Sequence, residues 1–171
     1  LGFPRPEGEN WVGHPLAVKL PITMDGNTSM TPWHFNADRT EIKGTDRPWI
    51  YSSGYRGLRR IKVDLMLSET GSNSVAIPAA VAIRMYTVRL HFSEPDEIGA
   101  GRRIFDVLAQ GKTVLRGVDV AGETGGARRA LVREFSGVQA SDALIVEFVP
   151  KTGGNSDTDS PILSGLEIVQ E

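Results

Sequence analysis

Three sets of side chains in this sequence have the chemistry to act on, or hold, another molecule: loop carboxylates, histidines and clustered aromatics. The carboxylates fall in two places, Glu94 with Asp96 and Glu97, and Asp157 with Asp159. Two carboxyl groups facing each other across a sugar run glycoside hydrolysis, and loop oxygens can also hold calcium. Acidic loop residues serve solubility as well. Nothing in the spacing pairs or buries these groups, so no catalytic residue is assigned. Calcium is not expected to be needed for folding. Asp157-Thr158-Asp159 runs into Ser160-Pro161, without the glycine a dedicated calcium loop uses for its sharp turn.

His14, His34 and His91 have no neighbour at metal-ligand spacing, so no metal site is predicted. His91 sits on the polar side of a strand and is read as solvated or hydrogen-bonded. The chain has no cysteine, which excludes disulfides, thiolate zinc sites and cysteine nucleophiles. No serine occupies a nucleophile elbow. The glycine-rich stretch 121–126 would cradle phosphate only with a helix behind it. A strand at 130–135 follows instead, so no cofactor is predicted.

The aromatics crowd one segment: Trp33, Trp49, Tyr51 and Tyr55. Exposed rings of this kind stack on sugar C–H faces while nearby Asp and Asn take hydroxyls. The alternative is that they fill the core, which suits Trp49 and Tyr51 in a strand at 49–51. Tyr55, between Gly54 and Gly57 at a bend, suits either reading. Trp11 is read as an anchor for the terminus.

The elements that must position these groups are strands. Tyr86, Val88, Leu90 and Phe92 alternate with Thr87, Arg89, His91 and Ser93; that period of two predicts a strand with one buried face. A loop at 95–102 and a hairpin turning at Gln110-Gly111 follow. Ile61, Val63, Leu65 and Leu67 predict another strand, as do 16–22, 144–149 and 162–169. Asp25-Gly26-Asn27 reads as a turn, and 117–120 as extended chain. Short strands with turns between them, and no long amphipathic helix, predict an all-β fold: a jelly-roll-like antiparallel β-sandwich.

Its 171 residues suit one domain, 1–171, with 1–15 as an extended lead-in. The formal net charge is -2 with no basic block, which argues against a nucleic acid partner. No apolar run reaches the ~20 residues of a membrane helix. The chain begins at Leu1, and is read as a piece of a longer protein.

Residues 86–94 (YTVRLHFSE), 103–107 (RIFDV), 110–115 (QGKTVL), 118–120 (VDV), Gly122 and 159–168 (DSPILSGLEI) follow the order seen in malectin-like carbohydrate-binding domains. Residues 51–57 (YSSGYRG) resemble the family's upstream tyrosine motif more weakly. The resemblance covers roughly the second half of the chain. It implies a jelly-roll sandwich that binds carbohydrate in its loops and is not an enzyme. The type it most resembles is a bacterial accessory module, which implies export to the periplasm or cell exterior. It also implies other domains of a parent chain as neighbours. By resemblance Tyr55 is the upstream-motif tyrosine, Asp159 the aspartate before the closing strand, and Trp33 a stand-in for a further tyrosine. The family's Tyr-Phe pair is replaced here by Asp96-Glu97, so the animal lectin's diglucose preference does not carry over.

These readings place a sugar site where Tyr55, loop 95–100 and loop 155–161 meet. Tyr55 would stack, and Asp159 and Asn155 would take hydroxyls. Asp96 and Glu97 would turn away acidic polysaccharide and favour a neutral oligosaccharide or polysaccharide. The alternative is a structural or protein-interaction sandwich that has lost its sugar site.

Overall fold

The computed structural model describes residues 22–36, 39–65, 82–151, 153 and 156–171. Nine strands in these residues form two antiparallel sheets. They are β1 (Ile22–His34), β2 (Ser53–Asp64), β3 (Arg84–Ser93), β4 (Phe105–Ala109), β5 (Lys112–Val118), β6 (Ala130–Ala140), β7 (Ala143–Pro150), β8 (Ile162–Leu163) and β9 (Gly165–Gln170). The larger sheet runs β1-β2-β7-β4-β5, with β8 added to β2; the smaller runs β6-β3-β9. The expected β-sandwich is therefore present.

The alternation of β3 does what its spacing predicts. Tyr86, Val88, Leu90 and Phe92 are buried, and they join Phe105, Val107, Leu144, Val146 and Phe148 in one core between the sheets. Leu166 packs against it, partly buried. The β4–β5 hairpin turns through Gln110 and Gly111, both at positive φ (50° and 73°). Two such residues give the turn whose twist matches paired strands.

Other expectations change. The run 162–169 is two strands: β8 pairs with β2 in the larger sheet and β9 with β3 in the smaller. The chain crosses between sheets at Ser164, whose N–H donates to the His91 carbonyl at 2.9 Å. Residues 49–51 belong to a 3-10 helix, Pro48–Tyr51. Proline in its first turn presets the helical φ and lacks an N–H that would go unpaired there anyway. Asp25 and Gly26 lie within β1 at register shifts, not in a turn between strands. A Cβ on Gly26 would come within 2.5 Å of the Met30 Cβ. Gly54 and Tyr55 are inside β2, and the left-handed residue is Gly57 (φ 73°).

Residue 120 does not continue the strand. Asp119 caps a short helix, α1 (Val120–Thr124), its carboxylate accepting from the Gly122 N–H at 3.0 Å. Gly125 ends it at φ 80°. The predicted lead-in, Trp11, His14 and Leu67 lie outside the described residues, as does the 16–22 strand apart from Ile22.

Candidate functional site

β3 ends at Ser93 and delivers Glu94 into the protein, fully buried. A buried carboxylate needs a partner, and it has Arg103, also buried. Arg103 donates from Nε to Glu94 Oε2 at 2.8 Å and from Nη2 to Oε1 at 3.1 Å. The same guanidinium reaches Asp96 Oδ2 at 2.9 Å and the Ser160 carbonyl. Arg56 holds the Asp96 carboxylate from another direction, Nε to Oδ2 at 3.0 Å and Nη2 to Oδ1 at 2.6 Å. Burial pushes the Glu94 carboxyl above its ordinary range, and Arg103 opposes that push. Arg103 thus ties loop 94–103 to the loop before β8. The Gly57 N–H, donating to the Pro161 carbonyl at 2.9 Å, adds β2 to the same junction.

A second polar group lies on the outer face of the small sheet. His91 is buried under the 3-10 helix; Tyr51 OH is 2.8 Å from its Nδ1, and Glu167 Oε1 is 3.1 Å from its Nε2. A neutral ring protonated on Nε2 satisfies both contacts: Nε2–H donates to Glu167 and Tyr51 donates to Nδ1. Burial pushes the imidazole below its ordinary value against the pull of Glu167. It also raises the Tyr51 hydroxyl to about 12. Of the two readings for His91, the hydrogen-bonded one describes it, and solvation does not.

The Arg56–Asp96 pair and the Gly57–Pro161 bond bring β2 beside residues 96 and 161, but the side chains expected to form a sugar site are mostly committed. Trp33 is only 6% exposed, its ring packed near Phe35 at 5.4 Å between centroids. It offers no open face for stacking, so the expectation for it is corrected. Tyr55 is half-buried in β2, opposite Pro32 and Leu163. Neighbouring strand residues point to opposite faces, so Tyr55 faces away from the Arg56–Asp96 pair. Asp159 is partly exposed and accepts from the Ser156 N–H at 2.7 Å, closing its own turn. Asp96 is held by two arginines, and exposed Glu97 pairs with Arg128. The carboxylate-lined mouth that was to repel acidic sugars is therefore matched by cations. Asn155 lies outside the described residues.

An open cleft lies elsewhere. A cleft of about 550 Å³ lies where β3 ends and β6 begins, with Phe35, Arg39, Thr40, Glu41 and Lys43 along one wall. Ala127, Arg128 and Arg129 form the other. Backbone bonds fix the walls to each other: Lys43 N–H to the Arg128 carbonyl and Ala130 N–H to the Lys43 carbonyl, each 2.9 Å. The Arg128 N–H donates to the Glu94 carbonyl at 2.8 Å, joining the cleft to the Arg103 junction. Lys43 lies 3.6 Å from Glu41, and Arg128 pairs with Glu97. Among the described residues no carboxylate pairs with Arg39 or Arg129. The sequence reading missed this cleft. Its one local signal was Arg128-Arg129, directly after Gly125-Gly126 and Ala127.

Comparison with known proteins points one way. Over 89 residues, 51% of this chain, the sequence is 34% identical to Receptor-like protein 4 of Arabidopsis thaliana, and spans 13% of that protein. Among solved structures, a complex of the plant peptide RALF23 with FER and LLG2 is similar over 86% of this chain and 40% of the compared chain. Its identity is 16% and its TM-score 0.62. The ANXUR2 extracellular domain of Arabidopsis thaliana is similar over 86% of this chain and 40% of its own, at 14% identity and TM-score 0.61. A β-glucuronidase of Bacteroides uniformis matches over 87% of this chain but 14% of its own, at 12% identity and TM-score 0.61. These structural likenesses speak for the fold. The model of the Malectin domain matches residues 25–166, and with it the chain belongs to the malectin-domain family.

Proposed function

We propose that this chain is a non-catalytic binding module, a single domain of a larger exported protein, and that its ligand is a carbohydrate. The observation that carries this reading is the cleft between Phe35 with 39–43 and 127–129. It sets a half-buried aromatic, Phe35, beside the Thr40 hydroxyl and guanidinium donors, a combination suited to a saccharide. Tyr55 and Asp159 are proposed as a second, flanking contact, with Asn155 on the same loop. The non-catalytic part is supported by the carboxylates. Glu94, Asp96 and Glu97 are each held by an arginine, and Asp159 closes its own turn. Glu94, Asp96 and Glu97 are thus engaged by cations, not set across open space from a second carboxylate as glycoside hydrolysis needs.

The relatives favour a cell-exterior setting, since those compared are a receptor-like protein and an extracellular domain. They give no support for a bacterial accessory type in particular. A second reading, a module that binds peptide or protein, is favoured by the likeness to a receptor solved with a plant peptide. With few stacking rings, saccharide affinity should be weak, about 0.1–1 mM or near −4 to −5.5 kcal/mol. A glycan array with neutral and acidic saccharides, run beside a hydrolysis assay, tests the proposal. Saturable binding without sugar release is expected. Sugar release overturns the non-catalytic reading, and silence across the array favours the peptide-binding one.

A further inference from the structure

We infer that the cleft is an anion-selective subsite, and that the saccharide it takes carries a carboxylate, as a uronic acid does. This rests on the carbohydrate reading above and adds the charge of the ligand. Four of the eight side chains lining the cleft are cationic and one is anionic, in a chain of net charge -2. The cleft lining is therefore more basic than the chain as a whole. Lys43 and Arg128 have acidic neighbours, Glu41 and Glu97, but Arg39 and Arg129 find no carboxylate among the described residues. Arg39 is exposed and Arg129 half-buried, so both forks stay within reach of a ligand.

A guanidinium fork matches the two oxygens of a carboxylate, and the charge-assisted pair is about twice as strong as a neutral hydrogen bond. Phe35 offers apolar ring surface to a pyranose, and the Thr40 hydroxyl can both donate and accept. Preorganisation adds to this. Arg39 stands on a turn held by N–H bonds from Arg39 and Thr40 to the Asn36 carbonyl, at 3.0 and 2.9 Å. The opposite wall is bonded to Lys43 through its backbone. The earlier case for a neutral ligand rested on Asp96 and Glu97, whose charges Arg56, Arg103 and Arg128 now balance.

The test is calorimetry on the whole chain with an oligouronate and with the same oligosaccharide after its carboxyl groups are reduced to alcohols. The wild-type comparison requires no variant. The oligouronate should bind at least about tenfold tighter, and the gap should shrink at high salt. Replacing both forks, Arg39→Met with Arg129→Met, should bring the oligouronate down to the affinity of its neutral form. Arg116→Met, an exposed cation away from the cleft, should leave binding unchanged. Equal affinity for the two saccharides overturns the inference and leaves the carbohydrate reading standing. Oligouronate binding that survives the double variant overturns the cleft as its site. Binding of neither saccharide removes the carbohydrate reading and this inference with it.

Discussion

Arg103 and Arg129 are the same side chain in two adjoining regions, and the molecule treats them differently. Arg103 is 1% exposed and gives its donors to Glu94, Asp96 and the Ser160 carbonyl. Arg129 stands in an open cleft with no acidic partner among the described residues. A saturated, buried cation holds chain segments together and has little left for a ligand. A half-buried cation at a cleft wall, with donors left over, contributes little to stability and has more to offer a ligand. The two regions even share a strut, the bond from Arg128 N–H to the Glu94 carbonyl. The junction therefore supports one wall of the cleft, the region proposed to bind.

The largest expected effect breaks the supporting side. Arg103→Met strands a buried carboxylate, which should cost about 3–5 kcal/mol in a denaturant titration. Adding Glu94→Leu to it should recover much of that loss, because removing both charges relieves the burial penalty. A single variant as stable as wild type would mean that the junction holds nothing.

Next comes Gly54→Ala, at the strand pair beside the junction. The added Cβ would run into the Leu163 carbonyl oxygen and approach the Trp33 ring within 2.7 Å. Overpacking of this kind costs about 1–3 kcal/mol, to be read as a lower melting temperature. An unchanged melt would show that both the Leu163 backbone and the Trp33 ring can move aside.

These two regions were unequally legible in the sequence. The alternation of β3 is local, and it correctly predicted which residues enter the core. The β4–β5 turn was legible too, because Gln110-Gly111 has its own conformational preference. The 3-10 helix at Pro48 and the cap at Asp119 were overridden by a strand reading of short apolar runs, which periodicity cannot separate at that length. The change of sheet at Ser164 leaves no local mark, since β8 and β9 share one apolar run. Glu94 and Arg103 were visible as charges, but their burial depends on Ser160 arriving from a distant part of the chain. The cleft is less legible still, because its two walls, Phe35 with 39–43 and 127–129, are far apart in the chain.

A smaller effect follows from His91. Its folded-state value lies below the ordinary one because burial disfavours the charged ring. The unfolded chain therefore binds the proton first as pH falls. Stability is fully present above the ordinary histidine value of about 6.5 and is lost as pH falls toward the folded value. Melting temperature measured across that window should drop on the acid side, and His91→Gln should flatten that part of the curve. A wild-type profile that is flat there would mean the ring is not held neutral.

The smallest effect belongs to the cleft. Arg129→Met should change unfolding free energy by no more than about 0.5 kcal/mol, in contrast to Arg103→Met. A loss of several kcal/mol would make Arg129 a structural cation like Arg103 and dissolve the contrast.

The most direct measurement is an amide shift map of the wild-type protein titrated with an oligouronate. The account predicts that the largest shifts fall at 35, 39–43 and 127–130, with Arg103 and Ser160 nearly still. Shifts gathered instead around Tyr55, Asp96 and Asp159, with the cleft silent, would contradict it.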